Sequence, residues 1–192
     1  MKRNAPVLLA AAAALTLSAC GGGSLSGDES TSEAEGTSEL TTLSVGIMPI
    51  VDTAPIWLGK EQGFFEAEGL VLDIQTTTGG AAAVPGVVSG DFDFAFGNVV
   101  SVMVANDKGL GIELVSNGNS TTGDTSSDFG AVVVPADSDI QDAADLAGKT
   151  VSVNNLSNIG DTTIRKLVEN AGGDHESIKF VEIPFPDAPA AI

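Results

Sequence analysis

The sequence predicts an α/β fold in which helices cover a parallel sheet. Strand-like and helix-like segments alternate from about residue 42 onward in the order β-α-β-α-β-α-β, and this order is typical of parallel strands joined by crossover helices. The 192-residue chain is 43% hydrophobic, and without its apolar N-terminus it still has enough Val, Ile, Leu and Phe to form a core. Residues 42–192 leave room for one ordinary domain or for two small lobes.

A first lobe is predicted at residues 42–118. Thr53 stands at the N-cap position of its first helix and Pro55 in the first turn, where a missing N–H has no cost. Phenylalanines recur at every second position over residues 92–96, which is the spacing of a strand with one apolar face. The strands are predicted at 43–47, 71–76, 92–96 and 112–115, and the helices after Thr53 (ending near Gly63 or, after a break, near Gly69), at 81–89 and at 99–107.

A partial second lobe is predicted at residues 131–192, after a polar crossover or hinge at residues 119–130. Its longest helix has apolar residues at positions i, i+3, i+4 and i+7 from Ile164 and is closed by two glycines. Because the chain stops in the predicted first turn of another helix, we expect it to be a fragment, with a truncated gene product as the alternative, that does not bind ligand tightly alone. The strands are predicted at 131–134, 151–153 and 180–183, and the helices at 142–146 and 164–171.

The N-terminus has the features of an export signal at residues 1–19. Two basic residues precede an apolar run that is about half the length of a membrane-spanning helix. The run ends in Leu17-Ser18-Ala19-Cys20, which closely resembles the lipobox of bacterial lipoproteins. The resemblance implies cleavage before Cys20, acylation of that residue and a lipid-anchored protein on the extracytoplasmic face of the cell membrane. An ordinary secretory signal with a chance cysteine is the alternative.

A disordered tether is predicted at residues 20–41. The segment consists of Gly, Ser, Thr and Glu with almost no large apolar residue, so it cannot bury enough surface to fold. Its glutamates repel one another and keep it extended. We expect the tether to hold a folded body away from the membrane.

Composition excludes several classes of function. The chain has 26 acidic and 8 basic residues, so its surface would repel nucleic acid and anionic lipid head groups. Cys20 is the single cysteine and His175 the single histidine, which excludes an intrachain disulfide, a thiolate metal cluster and a Ser/His or Cys/His nucleophile. We interpret His175 as a solvated turn residue and the pair Asp91 and Asp93 as exposed sheet polarity. We therefore expect no metal, no cofactor and no enzymatic activity.

Four stretches of the chain resemble one family in the expected order. Together they are similar to the periplasmic-type binding proteins related to the aliphatic-sulfonate, nitrate and thiamine-precursor binders, the SsuA/THI5-like or NMT1-like family. The resemblance implies a two-lobed fold of periplasmic binding protein type II, of which this chain contains the first-lobe strands and about half of the second lobe. The stretches are 54–65 (APIWLGKEQGFF), 90–98 (GDFDFAFGN), 145–153 (DLAGKTVSV) and 180–186 (FVEIPFP).

The resemblance also implies a function. A member of this family is the extracytoplasmic solute-binding component of an ABC importer, a monomer that delivers a small polar solute to a permease and its ATPase. Sulfonates, taurine, nitrate and the thiamine-precursor pyrimidine are the implied solute classes. Two alternatives remain: an enzyme on the same fold, as in a pyrimidine-forming relative that relies on histidine and cysteine, and a surface sensor that signals to a receptor.

Candidate ligand-binding residues lie in the loops that follow the predicted strands. In open α/β sheets ligands bind beyond the carboxyl ends of the strands, where helix N-termini offer unpaired N–H groups, and the family places its ligand contacts at the same loops. The candidates are Pro49, Asp52, Thr53, Gly79, Gly80, Asn98, Val99, Ser157, Asn158, Gly160, Asp161 and Thr162.

Most of these candidates also have a purely structural interpretation. Thr53 could only cap its helix, the glycine pair could only make a turn, and Asn158 with Asp161 has the spacing of an N-cap and a first-turn acid. Asp52 differs, because the fold does not need an acid in that loop. If Asp52 faces the ligand, it favours an amine or a protonated heterocycle over a simple anion.

Overall fold

Short helices and parallel strands alternate along residues 40–124 and 126–192, the part of the chain that this computed structural model describes. The α/β class predicted from the sequence is confirmed. The strands are β1 (Thr41–Ile47), β2 (Leu70–Thr76), β3 (Phe94–Ala95), β4 (Thr150–Val153) and β5 (Lys179–Glu182). The helices are α1 (Ala54–Glu61), α2 (Phe64–Ala67), α3 (Gly80–Ser89), α4 (Val99–Asp107) and α5 (Ile159–Asn170).

The first sheet has the order β2-β1-β3, with both pairs parallel. Val45 of β1 is the register partner of both Ile74 and Phe94, so the three strands end at one edge. The core below this sheet is formed by Val45, Ile47 and Leu72, against which the partly buried side chains of α1 and α2 pack. Ile47 is only 1% exposed, and burial of such a side chain contributes about 1.5–3 kcal/mol.

The second sheet pairs β4 and β5 in parallel and has a core of its own. Helix α5 covers it through Ile164 and Val168, two of the positions that the i, i+3, i+4, i+7 pattern predicts to face a core. Val151 and Val153 face the helix from β4. In each sheet the carboxyl ends of the strands therefore lie at one edge, where the loops that follow the strands begin.

Two strand predictions are wrong. Residues 112–115 and 131–134 belong to no strand, and all of their apolar side chains except that of Ile112 are exposed, to 63% at Leu114 and 65% at Val133. A strand is stabilised by the backbone and side chains of its neighbours, so propensity alone does not create one. Within the described residues no strand pairs with either segment.

A third strand prediction, over residues 92–96, is only partly correct, because β3 is reduced to Phe94–Ala95. Phe92 lies outside the strand. Its ring packs on two glycines, with ring atoms 2.9 Å from a β-carbon placed on Gly46 and 2.6 Å from one on Gly86. One of the three alternating phenylalanines, Phe92, therefore packs between strand β1 and helix α3 and is not part of a strand.

The short helix predicted at 142–146 is a 3-10 turn, Ala143–Leu146, and the chain after β5 continues as another, Phe185–Ala190. The first turn is held by Asp145, which accepts backbone hydrogen bonds from Gln141 and Asp142. These two N–H donors keep the pKa of the Asp145 carboxyl below its ordinary value. The carboxylate therefore stabilises the turn at neutral pH, and this contribution is lost as the pH falls through the lowered pKa.

The predicted signal peptide at residues 1–19, Cys20 and nearly all of the predicted tether lie outside the described residues. These predictions therefore stay predictions. Among the residues that are described, no helix is both long and apolar enough to cross a membrane.

Candidate functional site

The carboxyl edges of the two sheets face each other, and side chains of one side contact the other directly. Asn154, after β4, donates a hydrogen bond from Nδ2 to the carbonyl oxygen of Thr78, after β2, at 3.1 Å. Asn98, after β3, donates from Nδ2 to Oδ1 of Asn158 at 2.8 Å. We call the space between the loops after β1, β2 and β3 and those after β4 and β5 the cleft.

Two helix N-termini meet at one wall of the cleft. Asn98 is the N-cap of α4 and accepts a hydrogen bond from Ser101 N at 3.0 Å, and Asn158 is the N-cap of α5. Asn158 Nδ2 also donates to Ser101 Oγ at 3.1 Å, and both residues are buried. The caps of the two helices therefore share one hydrogen-bond network that joins the first sheet's side of the cleft to the second's.

The interpretation of Asn158 and Asp161 as a capping pair is confirmed. They form a capping box, in which Asp161 Oδ1 accepts from Asn158 N at 2.7 Å. Asp161 Oδ2 accepts from Ser157 N at 2.7 Å, and this holds Ser157 at a φ of 52°. A left-handed conformation is unfavourable for serine, so the carboxylate fixes a strained loop at the cleft. The other candidates of this segment, Gly160 and Thr162, lie in the first turn of α5.

Gly79 and Gly80 lie where two other segments of the chain approach α3 closely. A β-carbon on Gly79 would collide with Asn155 Oδ1 and come within 2.6 Å of Asn154 Nδ2. A β-carbon on Gly80 would lie 2.7 Å from the Cα of Gly97. A tight turn therefore does not fully explain the two glycines. Neighbours that are distant in sequence occupy the space that a side chain at either position would need.

Thr53 is fully buried and does not cap α1 with its side chain, although it occupies the N-cap position. Its hydroxyl donates to the carbonyl oxygens of Met48 at 2.9 Å and Ile50 at 2.8 Å. The prediction of a capping hydroxyl is wrong because the hydroxyl is directed at two carbonyl groups of the preceding segment and accepts no hydrogen bond from the first turn of α1. Thr53 instead fixes the loop that carries Pro49 to the cleft.

Asp52 and Val99 lie at the margins of this arrangement. Asp52 is partly buried, and its carboxylate accepts a hydrogen bond from Nδ2 of Asn119 in the predicted crossover. Val99, the first residue of α4, is half exposed. Whether Asp52 faces a ligand stays a prediction.

A small cavity lies at the base of the cleft, with a volume of about 70 Å³. It is too small for most organic solutes, since ligand pockets usually measure about 300–1,000 Å³. A solute of ordinary size would therefore need the two sides to move apart. The cavity is lined by Met48, Pro49, Ile50, Thr76, Thr77, Thr78, Pro184, Phe185 and Pro186.

The described cations are engaged elsewhere or lie away from the cleft, so its polar lining consists of amides, hydroxyls, backbone groups and carboxylates such as that of Asp161. Lys60 donates to the carbonyl oxygen of Leu72 at 2.7 Å, and Arg165 donates to that of His175 at 2.7 Å. Lys149 and Lys166 form ion pairs with carboxylates. Among the described residues no group of three or more His, Cys, Asp or Glu side chains is placed to hold a metal ion. The arrangement can recognise a solute through hydrogen bonds from amides, hydroxyls and helix N-termini.

Sequence reasoning missed Asn154, Asn155, Ser101 and Phe185 as cleft residues. The two asparagines directly follow β4, so their place at a strand end was a usable signal. Ser101 carried no signal of this kind, because it lies inside a helical segment. Its contact with Asn158 spans 57 residues of sequence.

Comparison with known proteins gives a family model and a solved structure. The model described as NMT1/THI5 like matches residues 50–192. The alkanesulfonate-binding protein SsuA from Xanthomonas axonopodis pv. citri, solved with bound MOPS, has a TM-score of 0.58 and 15% sequence identity. The match covers 80% of this chain and 51% of that protein, so the chain spans about half of its length. The periplasmic-binding-protein-like fold is thereby confirmed. No curated protein matches the chain.

Proposed function

The chain belongs to the NMT1/THI5-like family of solute-binding proteins, and we propose that it is the extracytoplasmic solute-binding component of an ABC importer. In this role it captures a small polar organic solute in the cleft and delivers it to a permease that is driven by an ATPase. The SsuA protein with a similar fold holds a small molecule, MOPS, which supports a small-molecule ligand for this chain as well.

The observation that carries the proposal is the meeting of two helix N-termini between the carboxyl edges of two parallel sheets. Ligands of open α/β folds bind beyond such edges, and the first N–H groups of a helix have no partner within the helix. The hydrogen bond between Asn98 and Asn158 joins the two sides in this closed arrangement. A bound solute would take over part of that contact and stabilise closure.

A thermal-shift screen of the full-length protein tests this function. The panel contains taurine, MOPS, nitrate and cytosine, which represent zwitterionic, sulfonate, inorganic-anion and aminopyrimidine solutes. Binding to the native state adds stability of RT ln(1 + [L]/Kd), or about 2.7 kcal/mol at a concentration of 100 Kd. The proposal expects a concentration-dependent rise in Tm with at least one class. The absence of a shift with all four classes would count against it.

Asp52 is expected to set the charge preference of the site. Its carboxylate lies after β1, and its hydrogen-bond partner in the described residues, Asn119, is uncharged. Asp52→Asn should weaken binding of a cationic or zwitterionic solute by about 1.5–3 kcal/mol, the contribution of a hydrogen bond to a charged group. Titration calorimetry measures this change, with Asp73→Asn on β2 as the matched control. An unchanged affinity in Asp52→Asn would remove Asp52 from the site.

We propose further that the protein is anchored to the outer face of the cell membrane through Cys20. The lipobox-like Leu17-Ser18-Ala19-Cys20 and the polar tether after it support this assignment. Cys20→Ala should leave the precursor uncleaved or release the protein to the medium, whereas Ser24→Ala in the tether should change neither. Membrane fractionation with mass determination of the N-terminus measures both. A correctly processed, membrane-bound Cys20→Ala protein would contradict the proposal.

A further inference from the structure

Two buried polar atoms at the cleft stand apart from the other polar groups of the fold. Thr77 Oγ1 and Asn155 Oδ1 have no hydrogen-bond partner within residues 40–124 and 126–192. Buried polar groups are normally paired, because an unpaired one loses its hydration without compensation. Such a group in a native structure therefore calls for a specific reason.

Asn155 lies at the N-terminus of α3, on the opposite side of the cleft from its own strand. It is only 5% exposed, and its Oδ1 lies against Gly79, the residue that precedes the helix. Gly79 has no side chain with which to cap α3, a helix of ten residues. The first N–H groups of a helix are hydrogen-bond donors without partners inside the helix. The carboxamide oxygen of Asn155 therefore lies near the N-terminal N–H groups of α3.

Three polar residues near Asn155 in the sequence have structural roles that Asn155 lacks. Asn154 donates to Thr78 O, Asn158 caps α5, and Asp161 completes the capping box. Asn155 satisfies no carbonyl group and caps no helix in the described structure. Thr77, which follows β2 and lines the cavity at the cleft base, carries the second unpaired group. Folding alone therefore does not explain a polar side chain at position 155.

We propose that Asn155 determines specificity in the cleft by accepting a hydrogen bond from an uncharged N–H or O–H group of the solute. This inference rests on the proposed function and adds the chemistry of recognition to it. The same edge of the solute would accept from the N-terminal N–H groups of α3, and Thr77 would bind an adjacent polar atom. An amino-heterocycle or a carboxamide carries such neighbouring donors and acceptors. A simple anion carries no donor for Asn155.

The test compares the stability and the affinity of Asn155→Leu in the full-length protein, with Asn155→Ala as a second variant. Both remove the unpaired oxygen, so the Tm without solute should be equal to or higher than that of the wild type. Asn154→Leu is the matched control, and its Tm should fall because the hydrogen bond to Thr78 is lost. A Tm of both Asn155 variants as low as that of Asn154→Leu would make Asn155 a structural residue and overturn the inference.

Affinity for cytosine, taurine, MOPS and nitrate is measured on the same proteins by titration calorimetry. Any uncharged donor that binds the wild type should bind Asn155→Leu at least about fivefold more weakly, as expected for a lost hydrogen bond to a buried group. Unchanged affinity for that probe overturns the inference and leaves the proposed function intact. If no probe binds the wild type, the proposed function fails for these classes, and the comparison of Tm values decides the role of Asn155 alone.

Discussion

Gly80→Ala is expected to lower the free energy of unfolding by about 1–3 kcal/mol, the usual cost of an overpacked site, and to abolish solute binding. The added β-carbon would lie 2.7 Å from the Cα of Gly97 and 2.8 Å from Ser101 Oγ. Gly97 Cα belongs to the backbone and cannot rotate away, so the N-termini of α3 and α4 would have to separate. This movement would also displace Ser101 from Asn158.

The informative result is whether Gly80→Ala raises or lowers the free energy of unfolding. Inside a helix alanine is ordinarily more favourable than glycine by about 0.5–1 kcal/mol, so a loss of stability reports the collision. Gly130→Ala is the matched control, because nothing lies within 4 Å of a β-carbon at that position. Chemical denaturation measures both free energies. A Gly80→Ala protein as stable as the wild type would show that the two helix N-termini have room between them.

Asp161→Ala is expected to destabilise the protein by about 2–3 kcal/mol, because a buried carboxylate with several backbone partners is removed. Asp161 is 9% exposed. It accepts hydrogen bonds from the backbone N–H groups of Ser157 and Asn158, each at 2.7 Å, and of Thr162, at 3.0 Å. Without it the N–H groups of Ser157 and Asn158 lose their acceptor and Ser157 is no longer held at its φ of 52°, whereas Thr162 N still donates to the carbonyl oxygen of Asn158 at 3.1 Å. Affinity for any solute that contacts the loop should fall as well.

Asp161→Asn separates charge from geometry at this position. The amide has nearly the shape of the carboxylate but retains only one acceptor oxygen, so its loss of stability should be intermediate. Chemical denaturation measures the free energies of unfolding of the wild type and the two variants, and hence their order of stability. Equal stability of all three would contradict the assignment of Asp161 as the residue that holds the cleft loop.

Structural elements that depend on interactions between residues close in sequence were predicted correctly. The apolar period of α5 and the spacing of Asn158 and Asp161 require only neighbours within one or two turns, and both predictions agree with the structure. The first strand was predicted at 43–47 and observed as Thr41–Ile47. The apolar residues of its alternating pattern, Val45 and Ile47, lie in the core, and Gly46 between them leaves room for the Phe92 ring.

Features that depend on distant partners could not be predicted in the same way. The apolar segments 112–115 and 131–134 have strand-like composition, but a ladder needs a neighbour, and composition does not identify one. The glycine pair was predicted to open the helix after β2, and Gly79 is the N-cap and Gly80 the first residue of α3. The close contact of Gly79 with Asn155 joins residues 76 positions apart, and a single sequence carries no record of such a contact.

The electrostatic character of the cleft was only partly accessible from the sequence. The excess of acidic residues and the absence of an evident cation from the loops were visible. The engagement of Lys60 with Leu72 and of Arg165 with His175 required the fold. Since Arg165 also lies 4.9 Å from the centre of the Phe180 ring, its charge is used to pack the second sheet.

Titration calorimetry of the full-length protein with the panel solute that raises Tm most is the most direct test of the central claim, that a small solute binds in the cleft. We expect one bound solute per chain with a Kd in the micromolar range or below. Binding should be lost in Gly80→Ala and retained in Gly130→Ala. Equal affinity of the wild type and Gly80→Ala would place the solute elsewhere on the protein and rule out binding in the cleft.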